Sequence, residues 1–198
     1  MARKFQTRTR VLAFLLSGLA PALAKDKAPE LFGEVSLKAD PDEKAIPQIQ
    51  AAFGKYSIET PETYEGNHRT FEHLAVEKDK EMKAAFVFRI HRDEDGDRDK
   101  IWPKGMERQR NEIKGYQSSS KTMKALRGEV SRYHWYLKID ESFAITKNFC
   151  HFFQLKPVGG KSAADPILTL SGSIFHGKPQ LEIRWFSKEG KQRLFIAD

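Results

Sequence analysis

From Arg69 onward the chain repeats one pattern: short runs with apolar residues at every second position, each closed by a turn. A period of two sends alternate side chains to opposite faces of an extended strand, and a helix cannot satisfy it. The clearest run is Lys83–His91. Ala84, Phe86, Phe88 and Ile90 fall on one face, Ala85, Val87, Arg89 and His91 on the other. Glu129–Ile139 repeats it, and its Ser131, Tyr133, Trp135, Leu137 and Ile139 set suits a core. Further strands are predicted around residues 55–59, 70–76, 108–116, 149–158, 166–171, 180–186 and 192–196. The charged run 77–81, Pro103, Gly105 and Gly159-Gly160 supply turns. Short strands with almost no helix predict an all-β fold, an antiparallel β-sandwich or jelly roll. Ala45–Phe53 has weak helical spacing at Ile46, Ile49 and Phe53, with Pro47 limiting it to a first-turn position. Residues 25–54 therefore read as an N-terminal arm, and 55–198 as one domain.

The first 24 residues follow a different plan. Arg3, Lys4, Arg8 and Arg10 precede the apolar run Val11–Leu19, and Ala22-Leu23-Ala24 offers small residues for cleavage. That is the layout of a secretory signal peptide, too short for a comfortable membrane span. The expected location is secreted or periplasmic, after cleavage near Ala24, with no later membrane span. Export also changes the charge. The formal +7 includes those four basic residues and no acid before Asp26, so the remainder carries +3. Such a balance argues against a nucleic-acid partner, and any anion preference must come from local clustering. Cys150 is the only cysteine, so no internal disulfide forms. Its place in the apolar run 149–153 suits a small buried residue rather than a nucleophile.

Local clustering is strongest at Glu107–Tyr116. On a strand, Arg108, Arg110, Glu112, Lys114 and Tyr116 share one face, and Gln109, Asn111 and Ile113 the other. Three cations with Glu112 among them form an anion-reading surface, although a solvated face laced by ion pairs explains the same residues. A second polar group lies on the strand around 149–158. Phe152, Gln154 and Lys156 share a face, while His151, Phe153 and Leu155 share the other unless a bulge intervenes.

These two strands resemble the signature strands of the concanavalin A-like jelly-roll polysaccharide lyases, a group with alginate, glucuronan and heparin lyases. The Arg-x-Glu-x-Arg pattern stands here as Arg110-Asn111-Glu112-Ile113-Lys114, with Lys for the second Arg. The Gln-x-His pattern stands as Gln154-Leu155-Lys156, with Lys for His. The resemblance covers residues 83–186 and implies a concanavalin A-like jelly roll. The strand that carries the leaving-group Tyr in that group is not found before Asp198, so the jelly roll reads as shortened, lacking its last strands.

The resemblance implies β-elimination on an acidic, uronic acid-containing polysaccharide. The sugar carboxylate must be neutralised by preorganised donors before the C5 proton leaves. Arg110 and Gln154 are the expected neutralisers, with Lys156 or His151 assisting proton transfer. Arg108, Glu112, Lys114 and Tyr116 are expected to contact the polymer. The alternative on the same fold is a non-catalytic glycan-binding module, and a third reading is a secreted structural or adhesive domain. A monomer is expected.

No organic cofactor is expected. The run Asp93-Glu94-Asp95-Gly96-Asp97-Arg98-Asp99 can offer Asp93, Asp95, Asp97 and Asp99 to a structural calcium. It is not an EF-hand, because Arg98 and Lys104 stand where Gly and Glu are needed. No His/Cys spacing matches a zinc motif, and no serine nucleophile elbow, Walker loop or dinucleotide fingerprint occurs.

Overall fold

The computed structural model describes residues 33–63, 71–91, 95, 109–116, 118–126, 128–146, 150–159, 163, 165–187 and 190–197. The expected signal peptide, Arg108, Asp93, Asp97 and Asp99 lie outside them. The chain divides into two compact units, Met1–Arg132 and Tyr133–Asp198. The all-β expectation holds in its coarse form: the described strands all pair antiparallel, and helix is scarce. No helix among the described residues is long and apolar enough to cross a membrane.

In the first unit a helix, α1 (Ala45–Phe53), precedes β1 (Ile58–Glu59). Then come β2 (Leu74–Asp79), β3 (Lys83–Phe88) and β4 (Glu112–Ile113). β1 pairs with β4, and β2 with β3. The expected arm thus contributes to the core: Ile49 is wholly buried, beside Ala45 and Leu74. Pro47 does not prevent the helix, because the first-turn N–H groups have no partner inside a helix. Lys44 gives no side-chain cap. Gln48 ties down the approach instead. Its Nε2 donates to the carbonyls of Asp40 (2.9 Å) and Glu43 (2.9 Å), and its Oε1 accepts from the Asp40 N–H at 2.8 Å. Gly54 closes the helix at φ 98°, and a Cβ there would meet the Tyr116 hydroxyl at 3.0 Å. Both facts call for glycine.

The hairpin β2–β3 keeps the predicted alternation. Val76 opposes Phe86 on the core side, and both pack against the α1 cluster. β2 runs three residues past the expected strand end at 76, and its turn is held by Asp79 Oδ1, which accepts from the N–H groups of Glu81 (2.9 Å) and Met82 (2.8 Å). The expected strand over 108–116 narrows to Glu112–Ile113. The amides of Gln109 and Asn111 are spent on loop carbonyls rather than on a long ladder.

The second unit is a four-stranded meander, β5 (Cys150–Leu155), β6 (Leu168–Phe175), β7 (Lys178–Ser187) and β8 (Gly190–Ala197), in that spatial order. Residues 129–139 carry no strand, contrary to their alternation. Alternation reports which side chains share a face, not whether a partner backbone is present. Tyr133 and Trp135 still use the predicted face, with rings 5.4 and 4.6 Å from that of Phe153.

Gly172 marks the tightest point of this unit. A Cβ there would lie 2.9 Å from Ile145 Cδ1 and 3.1 Å from Cγ1. Gly172→Ala is expected to cost about 1–3 kcal/mol through overpacking. Adding Ile145→Val, which removes Cδ1, is expected to return most of the loss in urea unfolding. A neutral Gly172→Ala would contradict this packing.

Candidate functional site

The sequence-predicted residues gather in two places, one in each unit. In the first unit, Glu59 and Glu112 are directly opposed across β1 and β4, so their side chains share a face. Arg110 and Lys114 flank Glu112 two residues to either side. Arg110 Nη1 donates to Glu59 Oε1 at 3.2 Å, and Lys114 Nζ donates to Glu59 Oε2 at 2.6 Å. Glu59 is only 3% exposed, while the two cations are 22% and 28% exposed. Of the cationic face read from the sequence, Arg110 and Lys114 meet at one buried carboxylate from β1. Tyr116 meets the Tyr56 ring edge-on, with centroids 5.9 Å apart, inside the same unit.

The opposite face of the same stretch serves a different group. Asn111 Nδ2 donates to the carbonyls of His73 (2.6 Å) and Arg89 (2.9 Å). Gln109 Nε2 donates to those of His91 (2.9 Å) and Asp95 (3.2 Å). These four residues lie where β2 begins and β3 ends, and the Arg89 N–H donates to the His73 carbonyl at 2.7 Å. The antiparallel register thereby sets the His73 and His91 rings 5.3 Å apart. Phe71 lies edge-on to both. His73 Nδ1 is 3.0 Å from Glu62 Oε1, and its Nε2 is 2.9 Å from Asp95 Oδ1. His91 Nδ1 is 3.3 Å from Asp95 Oδ2. Burial opposes ionisation of Glu62, but hydrogen bonds from Thr60 and from the His73 backbone outweigh it and hold this carboxyl below its ordinary pKa. Of the acids considered for calcium, Asp95 is the described one, and it faces imidazole nitrogens. Sequence reading missed this cluster because His73 and His91 are eighteen residues apart, and only the hairpin register joins them.

In the second unit the decisive feature is a β-bulge. His151 opposes Ser171, but Phe153 opposes Leu170 and Gln154 opposes Thr169, so the register shifts by one between His151 and Phe153. The extra residue reverses the parity, and His151 and Gln154 come to share a face. Following the register across the sheet gives two rows on that face. One runs Gln154, Thr169, Arg184, Arg193; the other runs His151, Ser171, Glu182, Phe195. Lys156 lies just beyond the end of β5, exposed.

The rows are bonded together. His151 Nδ1 lies 2.8 Å from Ser171 Oγ, which donates to Thr169 Oγ1 at 2.9 Å. The direction of the His151–Ser171 hydrogen bond depends on which imidazole nitrogen carries the proton. Glu182, wholly buried, accepts from Arg184 and has Arg193 Nε 3.7 Å from its Oε2. Burial first, then Arg184 and Lys191, push the His151 pKa down, so its ring is neutral at pH 7. Burial, Arg184 and Arg193 push the Lys191 ammonium down against the pull of Glu182. Phe175, Phe186 and Phe195 lie on the same face and are 37–40% exposed. Cys150 is on the other side of the ladder, its thiol raised by burial to about 11, which suits the inert role expected of it.

Arg110 and Gln154 therefore belong to different units. Arg184 and Arg193 were not singled out from sequence, although Thr169, Ser171 and Ser173 alternate with apolar residues, as do Glu182 and Arg184. That alternation was a usable signal for a polar sheet face. No family model, curated protein or solved structure matches the chain.

Proposed function

We propose that this is an exported protein whose polar face on β5–β8 takes an acidic, uronic acid-containing glycan and supports its cleavage by β-elimination. The observation that carries the reading is the bulge at Phe152. It brings a neutral imidazole and a carboxamide into adjacent rows with the guanidinium groups of Arg184 and Arg193.

Elimination at a uronic acid needs three things: a neutralised carboxylate, a base at C5 and a proton for the leaving oxygen. Gln154 offers a neutral amide donor, and Arg193 or Arg184 a guanidinium, for the carboxylate. His151, kept neutral by its lowered pKa, is the ring that accepts the C5 proton. Lys191, more acidic than an ordinary lysine, is the group on this face that can return a proton to the leaving oxygen. Lys156 extends the cationic surface along the polymer, and the three exposed phenylalanines suit the C–H faces of sugar rings.

One observation favours the second reading, a non-catalytic glycan-binding module. Glu182 already answers the charge of Arg184 and Arg193, which leaves less field for a carbanion-like transition state than for simple docking.

Incubation with alginate, glucuronan and heparin separates the two. Rising ultraviolet absorbance from unsaturated uronate supports the lyase. Retardation in polymer-containing gels without absorbance supports the binding module, and neither signal overturns both. For the lyase, kcat/KM is expected to stay flat down through pH 6.5, the ordinary imidazole value, and to fall only below it. The sign follows from the lowered His151 pKa: the ring stays in its basic form to lower pH. A limb centred above pH 7 would remove His151 as the base.

A further inference from the structure

We infer that His73, His91 and Asp95 form a binding site for one divalent transition-metal ion of the zinc class. Glu62 is the positioning residue behind His73. This inference is independent of the glycan reading, which concerns the other unit.

The donor atoms of the three residues lie within 4.8 Å of one another. Tetrahedral zinc, with bonds of about 2.0–2.2 Å, holds its donors roughly 3.3 Å apart. The separations of 2.9 Å from His73 Nε2 to Asp95 Oδ1 and 3.3 Å from His91 Nδ1 to Asp95 Oδ2 are near that value. Each nitrogen meets a different Asp95 oxygen, so one ion would take Asp95 through both oxygens or draw the three donors together by side-chain rotation. Two imidazoles and one carboxylate select a borderline transition ion over calcium or magnesium, which prefer all-oxygen shells.

The surroundings fit the same reading. The side chains of His73 and Asp95 are fully buried. The Asp95 carboxylate is held in place from two sides, by the His73 ring at Oδ1 and by the backbone N–H of His91 at Oδ2, so the donor set is preorganised. His73 Nδ1 faces Glu62 at 3.0 Å, which is the carboxylate–histidine relay that fixes a ligating ring by its second nitrogen. Gln109 and Asn111 hold the backbone carbonyls of all three ligands. His91 is a third exposed as a side chain while its Nδ1 is buried, so the ring reaches solvent and its ligating nitrogen faces the cluster.

The test uses the full chain without a histidine tag, stripped with chelator and titrated with Zn²⁺ or Co²⁺. Wild type is expected to take up one equivalent of Zn²⁺ with a rise in Tm. Co²⁺ is expected to give the intense visible bands of a low-symmetry N/O site. His91→Gln, at the exposed ligand, should abolish the cobalt spectrum while circular dichroism stays unchanged. Glu62→Gln should keep the spectrum and weaken affinity by about 10–100-fold. Absence of one-equivalent binding in wild type overturns the proposal. So does wild-type affinity in both His91→Gln and Asp95→Asn, or Ca²⁺ binding as tight as that of Zn²⁺.

Discussion

Replacing Arg110 and Lys114 together by methionine is expected to cost about 3–5 kcal/mol, because the buried Glu59 loses both of these cations. The loss is a large share of an ordinary domain's stability, about 5–15 kcal/mol. Each single replacement should cost less, since the other cation still reaches one Glu59 oxygen. Glu59→Gln should also cost less than the double variant. The two cations that lose this carboxylate are more than a fifth exposed and can recover water, which the carboxylate cannot. Adding Glu59→Leu to the double variant should restore much of the stability, as apolar replacements of buried ion groups often do. The readout is urea-dependent amide exchange at Ile58 and Ile113, which report on the β1–β4 pair itself. A double variant within 1 kcal/mol of wild type, on the order of a surface ion pair, would show that Glu59 is hydrated. The same contacts bear on function: loss of activity in Arg110→Ala carries meaning only when stability is measured alongside it.

His151→Gln is expected to lower kcat by about 10²–10⁴-fold, the usual contribution of a positioned general base. Stability should change little, since glutamine can still donate to Ser171 and the ring is only half-buried. Arg193→Ala, at the exposed end of the Gln154 row, should instead raise KM with a smaller effect on kcat, because it contacts ground state and transition state alike. Gln154→Leu should lower kcat through loss of the amide aimed at the carboxylate. Activity of His151→Gln within a few-fold of wild type would remove the base from this face. Polymer retardation that survives in the same variant would then point to the binding module.

Much of this arrangement was legible before any coordinates. Period-two alternation pointed to the strands at 83–88 and 150–155 but also to 129–139, which carries none, and within 109–114 it separated the residues that meet Glu59 from those that hold the hairpin carbonyls. Local chemistry does that, since a strand has only two faces. The helix at 45–53 was underread, because its N-terminal hydrogen bonds come from Gln48 rather than a capping residue. The His73–His91–Asp95 cluster could not be read at all. Its members come together through a hairpin register and a loop, and neither is encoded in spacing along the chain.

The sequence by itself determined the alternation along regular stretches such as 83–88, because that follows from backbone geometry within a few residues. Only the tertiary structure decided what each polar face meets: a buried carboxylate at Arg110 and Lys114, and a one-residue bulge that turns His151 toward Gln154. Those outcomes depend on partners supplied by other strands, and the energy of a charge or an imidazole is set by what stands opposite it.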